Sequence, residues 1–209
     1  MNTSAWFETH MIGSPIMAIL RGHSVSKSRE LAAQAWELGI AHVEIPVQNE
    51  QGLEALSAVA ADGHARGAFV GAGTVDTVDK VREAVNAGAD YTVAPGLDAE
   101  VVAASKTFGL PHLPGIATAT EIHRARALGL SWMKAFPAES LGPSWFRTIT
   151  GPFPDIRFVA TGGLNADNAQ SFLTAGARVA AVGSALADPS QVTRLAALVF
   201  DHTKGSERC

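Results

Sequence analysis

The sequence predicts a (β/α)8 barrel, a TIM barrel forming one domain over residues 1–209, with a short helix ahead of its first strand. Three observations carry that expectation. About eight short apolar runs recur, with centres roughly 20–26 residues apart, each of the length of a buried strand. Segments of helical periodicity separate them, and glycine closes the helical segments. Alternating strand and helix with near-continuous apolar strands implies a parallel sheet covered by helices. About eight such units in 209 residues is the size of a compact barrel. A doubly wound open sheet is the structural competitor.

The apolar runs are Ile16–Leu20, Ala41–Val47, Ala68–Val70, Tyr91–Ala94, Leu110–Leu113, Ser131–Phe136, Ile156–Ala160 and Val179–Val182. Between the first two, Leu31, Ala35 and Leu38 share one face of a helix over Ser28–Leu38, while Arg29, Glu30 and Glu37 stay wet. Val78, Val81 and Val85 make the same stripe in Asp76–Ala87. Gly39, Gly88, Gly109, Gly129 and Gly176 follow helical runs, where a left-handed C′ residue belongs. No linker, charge run or low-complexity segment marks a second domain. The polar tail, residues 202–209, is expected to fray.

Composition narrows the function. Sixteen Lys and Arg against twenty Asp and Glu give a net charge of −4, with a pI near 5.9, which argues against nucleic acid as a partner. Apolar residues are 47 % and charged residues 17 %, enough for a sizeable core and against extended disorder. Cys209 is the one cysteine, so neither an intramolecular disulfide nor a cysteine-based zinc cluster can form, and a reducing, cytoplasmic setting fits. No apolar run approaches the roughly eighteen residues of a membrane span. The stretch Met1 to His10 lacks the basic flank and apolar core of a signal peptide.

Lys134 lies in Ser131–Trp–Met–Lys–Ala–Phe–Pro137, a strand with hardly another polar group. It is either a strand-end side chain that snorkels to water or a desolvated amine able to attack a carbonyl. Strand alternation puts Trp132, Lys134 and Phe136 on one face. In the second strand it puts Val43, Ile45 and Val47 against the outer helices, leaving Glu44 to point inward. Alternate strands of a barrel contribute to one interior layer, so Glu44 and Lys134 of strands two and six can sit at similar depth. A structural ion pair there is costly. An acid–base and nucleophile pair is the better reading.

The loops after strands seven and eight carry Thr161–Gly162–Gly163–Leu–Asn165 and Gly183–Ser184. Glycines let backbone N–H groups approach an anion, and a phosphate site at these two loops recurs in this fold. The bland alternative is tight turns alone. Asn165 is placed to cap the helix that follows. Gly71–Ala–Gly–Thr–Val–Asp76 imitates a dinucleotide fingerprint but has Asp76 at the third glycine position. It reads as a strand-to-helix turn presenting Thr74. Seven histidines fall in no metal-ligand spacing, so His42 and His112 read as strand residues and no metal is expected. Arg21, ending the first strand, either holds a substrate carboxylate or is a solvated strand end.

These residues together resemble a known family, the class I 2-keto-3-deoxy-6-phosphogluconate aldolases with their galactonate-epimer and 4-hydroxy-2-oxoglutarate relatives. The matching stretches are Ile19–Leu–Arg–Gly22, Val43–Glu–Ile45, Gly71–Ala–Gly–Thr–Val75, Ala94–Pro–Gly96, Leu113–Pro–Gly–Ile–Ala–Thr118, Lys134–Ala–Phe–Pro–Ala138, Thr161–Gly–Gly163 and Gly183–Ser184. They cover nearly the whole chain in the family's order. The resemblance implies a homotrimer of barrels that splits a phosphorylated 2-keto acid into pyruvate and an aldehyde, without cofactor or metal. It places Lys134 at the Schiff-base lysine and Glu44 at the general acid/base. Arg21, Thr74, Pro95 and Phe136 fall at the pyruvate end, and Thr161, Gly162, Gly163, Gly183 and Ser184 at the phosphate end. One position departs: where some members carry an arginine four residues beyond the glutamate, this chain has Gln48, and Arg21 is the candidate to supply that charge. Ala117–Thr–Ala–Thr–Glu121 is closer to the galactonate branch, leaving the epimer open. Two other classes compete: a phosphate-binding barrel acting as an isomerase or synthase, and a non-catalytic sugar-phosphate binding protein.

Overall fold

The fold was obtained as a computed structural model, which describes residues 3–11 and 13–206, with side chains through 200. Nine parallel strands form one sheet: β1 (Ile16–Ile19), β2 (His42–Pro46), β3 (Phe69–Gly73), β4 (Tyr91–Val93), β5 (His112–Leu113), β6 (Gly115–Ile116), β7 (Trp132–Ala135), β8 (Arg157–Thr161) and β9 (Val179–Val182). Their order, β5-β4-β3-β2-β1-β9-β8-β7-β6, has consecutive strands at its two ends. β5 and β6 are two halves of one stave interrupted at Pro114, which has no N–H to give. On one side of that stave, Thr92 N–H donates to Pro111 O at 2.9 Å and Ala94 N–H to Leu113 O at 3.1 Å. On the other, Lys134 N–H donates to Pro114 O at 2.8 Å and Phe136 N–H to Ile116 O at 3.0 Å. The barrel is thus closed, and each predicted apolar run supplies one stave, except that Leu110–Leu113 supplies only half of its own and Gly115–Ile116 completes it.

The helices are α1 (Thr3–Met11), α2 (Val25–Glu37), α3 (Glu50–His64), α4 (Val78–Asn86), α5 (Ala99–Thr107), α6 (Ala119–Ala127), α7 (Ala138–Ile149), α8 (Ala169–Thr174) and α9 (Pro189–Ser206). Two starts differ from the periodicity. The α2 helix begins at Val25, because Ser24 caps it by accepting from Lys27 N–H, and α4 begins at Val78, because Thr77 accepts from Lys80 N–H. The five glycines expected at helix ends all have positive φ, from 74° at Gly109 to 114° at Gly176. Helix α9 continues into the stretch expected to fray, and residues 207–209, including Cys209, lie outside those described.

Alternation sorts the strand side chains into two cores. Ala18, Val43, Ile45, Val70, Met133, Phe158 and Val182 pack outward against the helices. Met17, Tyr91, Val93, Leu113, Trp132, Val159 and Val179 fill the interior together with Trp6, Phe7 and Met11 of α1. The α1 helix therefore plugs the barrel at the N-terminal ends of the strands. Trp132 Nε1 donates to Glu8 Oε2 at 2.8 Å, and the His42 ring nitrogen Nε2 pairs with His10 O at 2.7 Å. With one end sealed, the interior opens only toward the C-terminal ends of the strands.

His42 and His112 are strand residues, as expected, and both are buried. His112 pairs with Thr92 Oγ1 at 2.8 Å beneath α5. Burial pushes both imidazoles down to about 4, whereas in the unfolded chain they titrate near 6.5. As pH falls, the unfolded state binds these protons first. The contribution to stability is therefore lost from about pH 6.5 down to about pH 4, where the folded state also protonates. At about pH 5 the loss is about 2 kcal/mol per histidine. Urea unfolding of wild type and His112→Gln at about pH 7.5 and pH 5 checks this: the variant is expected to lose about 2 kcal/mol less over that interval. An equal loss in both proteins would contradict it.

Candidate active site

The open end of the barrel holds a cavity of about 360 Å³, within the range of small-molecule sites. Eight of the residues singled out in the sequence line it: Arg21, Lys134, Phe136, Thr161, Gly162, Gly163, Gly183 and Ser184. Ile19, His23, Leu164, Ala181 and Ala187 complete the wall. Arg21 and Lys134 stand in the wall, while the Glu44 carboxylate lies beside Lys134 and the Glu139 carboxylate against Gly163.

Lys134 projects inward from β7, and Glu44 from β2. Their side chains are 4 % and 1 % exposed, with Nζ 3.9 Å from Oε1. That distance is longer than a hydrogen bond, and neither carboxylate oxygen of Glu44 has a hydrogen-bond partner. A buried carboxylate left this way is costly to the fold, which is the mark of a group kept for chemistry. Lys134 Nζ also lies 5.3 Å from the centre of the Phe136 ring. Above the pair, Phe136 and Thr161 lead into the glycine loops.

Small residues make room for this pair. Gly71 and Gly73 lie within β3 itself and not, as the sequence suggested, in a strand-to-helix turn. A Cβ at Gly73 would overlap the Glu44 carboxylate, and one at Gly71 would overlap the Tyr91 ring. Periodicity gave no hint of this, because the reason for each glycine is a side chain on a neighbouring stave. Gly73→Ala is accordingly expected to displace Glu44 and lower kcat by about 10²-fold or more, the scale of losing general acid–base help. A steady-state assay showing wild-type kcat would contradict that placement of Glu44.

Thr74 and Pro95 follow β3 and β4 at the same end but are not in the cavity wall. Thr74 has φ +59°, an uncommon conformation for a β-branched residue. Its carbonyl accepts from Lys80 Nζ at 3.2 Å. The Pro95 carbonyl crowds Gly115, which stands in register beside Lys134; a Cβ at Gly115 would collide with it. Arg21 is neither buried nor free: its guanidinium donates to Gln48 Oε1 at 3.1 Å, so the two positions that the family resemblance linked touch in space.

The glycine loops differ in character. Gly162 and Gly163 have φ +99° and +77°, and a Cβ on Gly162 would come within 3.1 Å of the Phe136 ring. Side chains there are strained whatever the ligand. Gly183 has φ −98° and open space at its Cβ position, the nearest atom being Ile19 O at 3.9 Å. Asn165 caps the turn that leads into α8, as expected. Its Oδ1 accepts from the Asp167 and Asn168 N–H groups and its carbonyl from Ala169 N–H at 3.0 Å, and the regular helix follows from Ala169. Asn168 in turn donates to Gly163 O at 3.0 Å, bracing the loop. His23 was missed altogether, since a lone histidine in a loop carries no spacing signal.

Known proteins resemble this chain along most of its length. Residues 7–197 match the KDPG and KHG aldolase family. A 2-dehydro-3-deoxy-phosphogluconate aldolase of Treponema pallidum is 38% identical over 154 residues, 73% of this chain and 72% of that protein. The 2-dehydro-3-deoxy-6-phosphogalactonate aldolase of Escherichia coli is 31% identical over 173 residues, 82% and 84% of the two chains. The crystal structure of a 2-keto-3-deoxy-6-phosphogluconate aldolase of Zymomonas mobilis with 3-phosphoglycerate superposes with a TM-score of 0.81, at 26% identity over 96% of both chains. With its barrel and its match over residues 7–197, this chain belongs to the KDPG and KHG aldolase family of carbon–carbon lyases.

Proposed function

We propose that the protein is a class I aldolase that cleaves a 2-keto-3-deoxy-6-phospho sugar acid to pyruvate and glyceraldehyde 3-phosphate. The carrying observation is the buried Lys134–Glu44 pair at 3.9 Å, with Lys134 in the cavity wall. Neutral Lys134 Nζ adds to the C2 ketone, and loss of water leaves an iminium that draws electrons from the C3–C4 bond. Glu44, directly or through a water, accepts the C4 hydroxyl proton as that bond breaks and the aldehyde departs. The enamine is protonated at C3, and water releases pyruvate from Lys134. Arg21, Thr74, Pro95 and Phe136 form the pyruvate end in this reading.

The phosphate is held by Thr161, Gly162, Gly163, Gly183 and Ser184, mostly through backbone N–H groups. The 3-phosphoglycerate in the Zymomonas relative supports a phosphorylated ligand in this fold. The C4 epimer is left open by relatives of both the gluconate and the galactonate kind. Cleavage of 4-hydroxy-2-oxoglutarate fits as a second activity, since it needs only the inner end. A single domain, a homotrimer and a cytoplasmic setting belong to the same proposal, the trimer resting on the family; light scattering tests it at three chain masses.

The experiment compares pyruvate release from a phosphorylated 2-keto-3-deoxy acid and from 4-hydroxy-2-oxoglutarate. Gly183→Leu, which fills the cavity without positive-φ strain, is expected to lower the ratio of kcat/KM for the two by about 10²-fold, the scale of lost anion contacts. Equal losses on both would mean that the loops shape the barrel and do not select phosphate. Excess chelator is expected to leave both rates unchanged, and inactivation by chelator would contradict the imine mechanism.

A further inference from the structure

We propose that His23 is an additional side-chain donor to the substrate phosphate, facing the glycine loops from the first stave. The inference rests on the phosphate reading above and extends it to a residue outside those loops. His23 follows β1, which pairs in parallel with β9, so its loop and the Gly183–Ser184 loop leave adjacent staves side by side. It lines the cavity together with Gly162, Gly183, Ser184 and Ala187.

The backbone there is fixed and the ring is free. Gly22, at φ +71°, turns the chain out of β1, and Ser24 caps α2 immediately afterward. Gln51 Nε2 donates to the His23 carbonyl at 3.4 Å. His10, His42, His64 and His112 each hold a ring hydrogen bond. The His23 ring holds none among the described residues, so its donor is available to a ligand. The two cationic side chains of the wall face other groups: Lys134 stands 3.9 Å from Glu44, and Arg21 donates to Gln48. An imidazole offers one N–H when neutral and two when charged, and either suits an anion already cradled by backbone donors. Such a contact is specific to a phosphorylated substrate, because a short keto acid bound at Lys134 does not extend to these loops.

The test uses His23→Ala and His23→Gln with two substrates, a phosphorylated 2-keto-3-deoxy acid and 4-hydroxy-2-oxoglutarate, and with inorganic phosphate as inhibitor of the second. In His23→Ala the kcat/KM ratio for phosphorylated over short substrate is expected to fall about tenfold, the scale of one hydrogen bond to a charged group. The fall should lie in KM, inhibition by phosphate should weaken in parallel, and His23→Gln should recover part of both. An unchanged ratio, or equal loss on both substrates, overturns the role of His23 while leaving the glycine-loop reading intact. A wild-type enzyme that neither prefers the phosphorylated substrate nor is inhibited by phosphate removes the glycine-loop reading, and this inference with it.

Discussion

Lys134→Met is expected to reduce aldol cleavage by about 10⁴–10⁶-fold, the range seen when a covalent nucleophile is removed. Methionine is one atom shorter than lysine but fills most of its volume and suits the apolar interior, so lost packing is a minor part of the effect. The substitution leaves Glu44 buried without its cationic neighbour, and breaking a buried pair costs about 3–5 kcal/mol. Unfolding and catalysis therefore have to be read separately. Urea unfolding should show Lys134→Met destabilised and Lys134→Met/Glu44→Gln recovering much of that loss, since the second change removes the orphaned charge. The double variant should stay inactive. Activity in it would show that the lysine serves only as a counter-ion.

Glu44→Gln carries the second large effect. The amide keeps the shape of the carboxylate but cannot accept the C4 hydroxyl proton, so kcat should drop by about 10²–10⁴-fold. Because the lysine is intact, pyruvate should still form its imine, with the defect confined to cleavage and to protonation at C3. Rapid-quench measurement of both steps separates them. A variant that fails to form the imine would instead make Glu44 a group that sets the state of Lys134. Wild-type turnover would return it to a purely structural role.

The staves and the inward direction of Glu44 and Lys134 were legible because period-two alternation is a local property of the chain. Val43, Ile45 and Val47 outward dictated Glu44 inward, and the structure puts it 3.9 Å from Lys134. The glycine loops after β8 and β9 were legible for the same reason, lying directly after their strands. What escaped depended on contacts between distant residues. Gly71 and Gly73 answer to Tyr91 and Glu44 across the sheet, and Arg21 answers to Gln48. Pro114 splits a stave whose second half, Gly115–Ile116, lies outside the apolar run Leu110–Leu113. The cap at Asn165 was legible, whereas the reciprocal bond from Asn165 N–H to Asn168 Oδ1 was not, because only the turn geometry brings the two residues together.

The central claim is that Lys134, desolvated in the barrel beside Glu44, forms a covalent imine with the keto acid. Incubation with pyruvate and borohydride followed by intact mass and peptide mapping tests it without knowledge of the full substrate. The expected result is a single reduced pyruvate adduct per chain, on the peptide containing Lys134, present in Glu44→Gln and absent in Lys134→Met. An adduct on another lysine, or none in an enzyme that cleaves its substrate, would contradict the account.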